Sequence, residues 1–172
     1  LTYGAFIQEH FNADVRIVAI SGAAVYRNYL GTVSNFFTRY SWSDYYDETP
    51  YDFSEWIPQL VVINLGTNDF DKGSTYEEFI TGGKKWIDFI RSKYPNVTIL
   101  WTYGVMNRQS DQRIRDVIKY YQDKGDKKIF YQPLELMDTA ADGTGGGGHP
   151  TAATHRKMAD TLIPRIKEIM KW

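Results

Sequence analysis

At 172 residues and a net charge of −1, with neither sign clustered, the chain is sized for one domain with a full core, and its charge favours neither nucleic acid nor a membrane surface. Cysteine is absent, which removes disulfides, thiol nucleophiles and thiolate-bound zinc together. No apolar run approaches the ~18–20 residues needed to span a bilayer.

In chain order, Tyr3, Phe6, Ile7, His10 and Phe11 recur at three- and four-residue spacing and predict a first helix. Residues 15–20 read as a strand that ends at Ser21-Gly22. A long loop follows, over residues 25–59. Its mixed run from Phe36 to Tyr46 has two readings: rings tucked under a loop folded onto the body, or rings offered to a sugar.

Val61-Val62-Ile63-Asn64-Leu65 is a run rich in β-branched residues, and it leads into Gly66-Thr67-Asn68-Asp69. Continuous apolar character predicts a central parallel strand covered on both faces. Residues 75–92 carry a helical stripe of Tyr76, Phe79, Ile80, Trp86, Ile87 and Ile90, weakened by roughly 1 kcal/mol at each of Gly82 and Gly83.

A turn at residues 94–96 precedes a strand over 97–101. Ile114, Val117, Ile118 and Tyr121 mark a helix over 111–124, with Gly125 as its stop. Residues 128–131 form a short strand. A glycine-rich loop over 142–148 leads to a last helix from Pro150 to about Lys171, proline being favoured at a first helical position.

This alternation predicts an α/β fold with helices on both faces of a parallel sheet. A doubly wound sheet normally opens with a strand, whereas this chain opens with a helix. The expectation is therefore one domain over residues 1–172 whose first strand is missing from the chain.

Ser21-Gly22, Asn68 and His149 each follow a strand or begin a helix at what should be the carboxyl edge of the sheet, where open α/β folds do their chemistry. In this order the segments resemble the SGNH, or GDSL-type, hydrolases. Val61 to Phe70, the segment His149-Pro150-Thr151-Ala152-Ala153-Thr154-His155, and Ser21 to Tyr29 look most like carbohydrate esterase family 2.

The resemblance spans nearly the whole chain. It implies a three-layer αβα, flavodoxin-like sheet of about five strands, and a serine esterase that removes acetyl groups from xylan, glucomannan or related polysaccharides. It assigns Gly22 and Asn68 to an oxyanion hole and His149 to the base, with no cofactor. It also implies a secreted bacterial protein whose partner is an acetylated oligo- or polysaccharide, with an upstream β-sandwich domain.

Two departures stand out. The family's nucleophile is the serine of an early Gly-Asp-Ser, and this chain has no such triplet, nor a Gly-x-Ser-x-Gly elbow. Ser21 falls in the segment assigned to the oxyanion hole and reads as a turn residue. The missing serine and the missing first strand are one observation, and the nucleophile is expected on a segment upstream of this chain. The second departure is the acid: the position three before His149 is Gly146. A backbone carbonyl of the glycine loop, as in a Ser-His dyad, or Asp142 or Asp138 would have to orient the imidazole.

Gly143, Gly145 and Gly148 also satisfy Gly-x-Gly-x-x-Gly, but only one helix follows, so no βαβ unit for a dinucleotide can form. His149 and His155 have no third residue spaced to complete a metal site. For the sugar, Trp101 and Tyr103 at a strand end, and Trp42 and Tyr26 from loops, are the candidate contacts, with a place in the core as the alternative for Trp101. The competing functions are a non-catalytic carbohydrate-binding relative and a lysophospholipase-like esterase.

Overall fold

The computed structural model describes residues 1–34, 36–43 and 48–172. Three strands, β1 (Leu60–Ile63), β2 (Thr98–Tyr103) and β3 (Ile129–Pro133), form a parallel sheet in the order β1-β2-β3. Val62 pairs with Leu100, and Leu100 with Phe130.

Strand β2 lies in the middle and is buried along its whole length. Its side chains alternate between two helical layers, as the period of two requires. Leu100 joins a cluster with Leu162 and Ile166 of α7 (Ala152–Met170) and Ile7 of α1 (Tyr3–Phe11). Ile99, Trp101 and Tyr103 point the other way, into a cluster with Phe79, Trp86 and Ile87 of α4 (Tyr76–Lys93) and Ile114 and Val117 of α5 (Asp111–Asp123). The three-layer arrangement anticipated from the sequence is present, with α1 and α7 on one face and α4 and α5 on the other.

Two expectations about the sheet need correction. Residues 15–20 are not a strand; they have no ladder partner among the described residues, and Ile17 is 67% and Val18 56% exposed. Among the described residues strand β1 is bonded to β2 alone, so it stands at the edge of the three-stranded sheet and not at its centre. The two departures share one cause. A parallel strand needs a neighbour to bond its N–H and C=O groups, and neither element finds one on its open side.

Helix α4 opens with a reciprocal capping box between Thr75 and Glu78. Its buried Gly82-Gly83 pair has a packing reason. A β-carbon on Gly82 would come within 2.8 Å of the Val25 carbonyl oxygen, and one on Gly83 within 2.8 Å of a Val117 methyl. The helix gives up intrinsic propensity so that the loop around Val25 and helix α5 can approach closely. Gly82→Ala is therefore expected to lower stability by about 1–3 kcal/mol despite alanine's better helix propensity, read as a lower urea midpoint at unchanged slope.

The long loop contains a short helix, α2 (Phe36–Tyr40). Phe37 and Tyr40 pack edge-on against Trp86 and Phe89 of α4, so this part of the aromatic run is tucked onto the body. The remainder of that run, at Asp44, Tyr45 and Tyr46, lies outside the described residues.

Candidate active site

Strand β1 ends at Ile63, and Gly66 turns the chain with φ +126° into the short helix α3 (Thr67–Asp71). That conformation strains any residue with a side chain. The turn is fixed from behind by Ser110 Oγ, which donates to the Gly66 carbonyl at 2.9 Å. Asn68 and Asp69 thus sit in the first turn of α3, just beyond the sheet.

From there they hold the segment after residue 22. The Asn68 amide donates to the Ala23 carbonyl at 2.8 Å. The Asp69 carboxylate accepts the N–H groups of Val25, Tyr26 and Arg27 at 2.9, 2.7 and 3.0 Å. Burial pushes the Asp69 carboxyl above its ordinary range, and these amide bonds oppose the shift. Arg27 adds an ion pair to Glu78, joining the same loop to the start of α4.

Gly22 has φ +77°, and a β-carbon there would fall 2.1 Å from a Tyr29 ring atom. The Tyr29 ring therefore lies directly against Gly22, while the residue remains 54% exposed. Only glycine fits there.

His149 follows a glycine turn at Gly146–Gly148. The Gly145 N–H donates to the His149 carbonyl at 2.8 Å, closing the loop. Thr151 caps α7 by accepting from the Thr154 N–H, and its hydroxyl donates to the Asp142 carbonyl at 3.0 Å. The far end of α7 (Met170) and Trp172 line a groove with Val97, Thr98 and Lys128 at the amino edge of the sheet. The start of α7 is thereby at the carboxyl edge, as are Asn68 and Ala23. Tyr3 of α1 stacks on His155 of α7 with ring centres 5.9 Å apart. Gly22 and Asn68 are brought into one cluster through Ala23. His149 shares their edge without bonding to either.

The two alternative acids are engaged elsewhere. Both Asp142 oxygens accept from Lys157 Nζ, at 2.8 and 2.7 Å. Asp138 accepts the Ala140 and Ala141 N–H groups as the N-cap of a one-turn helix, α6 (Thr139–Asp142).

Three of the four proposed sugar contacts are misplaced. Trp101 and Tyr103 are buried in the sheet core, 0% and 1% exposed. The Trp101 Nε1 donates to the Leu65 carbonyl at 3.1 Å, and the Tyr103 hydroxyl bonds Asn107. Both strand faces are covered by helices, so a residue near the strand's end is still core. Trp42 hangs from α2, which is packed against the C-terminal half of α4 toward the amino edge, and its ring faces Arg39. Tyr26 is at the carboxyl edge, through its N–H bond to Asp69. Tyr29 was not singled out from the sequence, where nothing marks a ring stacked on a glycine seven residues earlier.

A family model described as GDSL-like Lipase/Acylhydrolase matches residues 1–162. The cellulase/esterase CelE of Acetivibrio thermocellus is 32% identical over all of this chain, which corresponds to 22% of CelE. An acetylxylan esterase / glucomannan deacetylase of Cellvibrio japonicus is 24% identical over 99% of the chain and 49% of its own length. A solved family two carbohydrate esterase from Clostridium thermocellum, in complex with cellohexaose, superposes with a TM-score of 0.94 at 32% identity, covering 99% of this chain and 54% of that one. The chain thus spans about half or less of the length of these relatives. Matched along nearly its whole length and folded as they are, the chain belongs to the GDSL-like lipase/acylhydrolase family, and its neighbours there are family 2 carbohydrate esterases.

Proposed function

We propose that this chain supplies the oxyanion hole and the base of a secreted carbohydrate esterase that removes O-acetyl groups from plant cell-wall polysaccharide such as xylan or glucomannan. The observation that carries the reading is the grip of Asn68 on Ala23 beside Gly22, at the edge of the sheet where His149 begins the last helix. Ester hydrolysis passes through a tetrahedral oxyanion, and each preorganised donor aimed at it is worth about 10²–10³ in rate. The second N–H of the Asn68 amide and the N–H of Gly22 are the donors. His149 takes the proton of a serine hydroxyl as that oxygen attacks the acetyl carbon, then returns it to the departing sugar hydroxyl.

The serine comes from a segment outside this chain. The open side of β1 and the unpaired residues 15–20 support this, because both lead to the carboxyl edge beside Asn64 and Ser21. A parallel strand bonded there would deliver the residue after it close to Gly22. With Asp142 and Asp138 occupied, the backbone carbonyls of the glycine loop are the acceptors left to orient the imidazole once it engages the serine hydroxyl. Tyr26 and the exposed ring of Tyr29 are the sugar contacts that remain, and an upstream β-sandwich domain is compatible with a chain that spans about half or less of its relatives' length.

The test is release of acetate from acetylated xylan and from p-nitrophenyl acetate by the chain joined to its Gly-Asp-Ser segment. Turnover that disappears when that serine is replaced by alanine supports the reading; polysaccharide binding without turnover turns it toward a binding module. In the active protein, Asp142→Ala should keep hydrolysis within about five-fold, because both Asp142 oxygens are taken up by Lys157 and the lysine left behind is solvated. A collapse of activity in that variant would give Asp142 the orienting role instead.

A further inference from the structure

Asp69 is fully buried, yet no cation pairs with it among the described residues. Removing a carboxylate from water without a counter-charge is expensive, and an apolar side chain would fill the same space without that cost. What the carboxylate gains is four hydrogen bonds: three from the successive N–H groups of residues 25–27, and one from the Ser74 hydroxyl at 3.3 Å. The amide partners are more than forty residues away in sequence, so the bonds join two segments instead of stabilising a local turn.

The neighbouring side chain completes the grip. Asn68 takes the Ala23 carbonyl while Asp69 takes the N–H groups of Val25, Tyr26 and Arg27, so two adjacent residues bind the segment through both its acceptor and its donors. From behind, Gly82 lets α4 press against the Val25 carbonyl. The backbone from residue 23 to residue 27 has little freedom left.

We infer that Asp69 is a positioning residue: it fixes the distance and angle between the Gly22 N–H and the Asn68 amide, so that both donors aim at one oxyanion. The inference rests on the esterase reading above and extends it to a group that touches neither substrate nor reacting atoms. An amide at position 69 is the informative change. Its single oxygen still accepts, but its NH₂ is directed at backbone N–H groups that are themselves donors, so at least one bond is lost and the segment loosens. A displacement near 1 Å in a donor costs about 10²-fold in rate.

In the assembled esterase, Asp69→Asn is expected to lower kcat about 10- to 100-fold on p-nitrophenyl acetate with KM within about three-fold. Ser74→Ala, which leaves all three amide bonds intact, should stay near the parent. Amide hydrogen exchange on the chain itself should show residues 23–27 of Asp69→Asn opening faster while α4 and α5 keep their protection. A kcat loss that tracks only the unfolded fraction, or unchanged exchange at residues 23–27, overturns the proposal. An unmodified protein without esterase activity removes the esterase reading instead, and the exchange result then decides by itself whether Asp69 orders this segment.

Discussion

His149→Ala is expected to lower hydrolysis of acetyl esters toward the upper end of the ~10²–10⁴-fold range of general-base catalysis. The base and the hydroxyl it activates act as a unit, so loss of either removes most of what both supply. The fold should be indifferent to the change. His149 is exposed, and its imidazole makes no hydrogen bond to any described residue. The loop is closed through its backbone, by Gly145 donating to the His149 carbonyl and His149 donating to the Gly146 carbonyl. Alanine preserves both bonds, so stability should stay within about 0.5 kcal/mol of the parent. The decisive comparison is initial rate against urea midpoint for His149→Ala and parent. A rate within ten-fold of the parent would remove His149 from the chemistry, and a matching fall in midpoint would make it a structural residue.

The helices of this chain were legible because their buried stripes follow the 3.6-residue period, and their ends carry recognisable chemistry. Thr75 and Glu78 close a capping box, and Gly125 takes φ +92° just after α5. The sheet was legible in direction but not in membership. Residues 15–20 have the composition of a strand, yet strand formation depends on a partner's backbone, which local sequence does not encode. For the same reason Val61-Val62-Ile63 reads as central while β1, among the described residues, is bonded on one side only.

At the site, Gly22, Asn68 and His149 were found from their order along the chain, and the first two do meet through Ala23. The role of Asp69 is not legible in the sequence, because the backbone amides it binds lie more than forty positions away. Depth misled the reading of aromatics. A strand's sequence does not tell whether its last residues emerge into solvent, and here helices α4 and α5 extend over Trp101 and Tyr103.

Trp101→Ala separates those two readings of the indole through stability. The ring stacks on Phe79 at 6.4 Å between centroids and reaches the space left by Gly83, where a β-carbon would lie 3.5 Å from its edge. Truncation to alanine is expected to cost about 3–5 kcal/mol for the lost burial and the cavity. The Leu65 carbonyl also loses its indole donor, a part-buried hydrogen bond worth about 0.5–1.5 kcal/mol. Against a typical total of about 5–15 kcal/mol, the variant should be largely unfolded or have a much lower urea midpoint. Trp101→Phe keeps most of the packing and gives up the Nε1 bond, so it should fold with a smaller loss. Its affinity for xylo-oligosaccharides should equal the parent's, because a ring with no exposed surface has no face to offer a sugar. If Trp101→Phe keeps its midpoint and loses oligosaccharide binding, the indole is reached by ligand through an opening of the α4–α5 layer, and the wall of the sugar site lies inside the core instead of at Tyr26 and Tyr29.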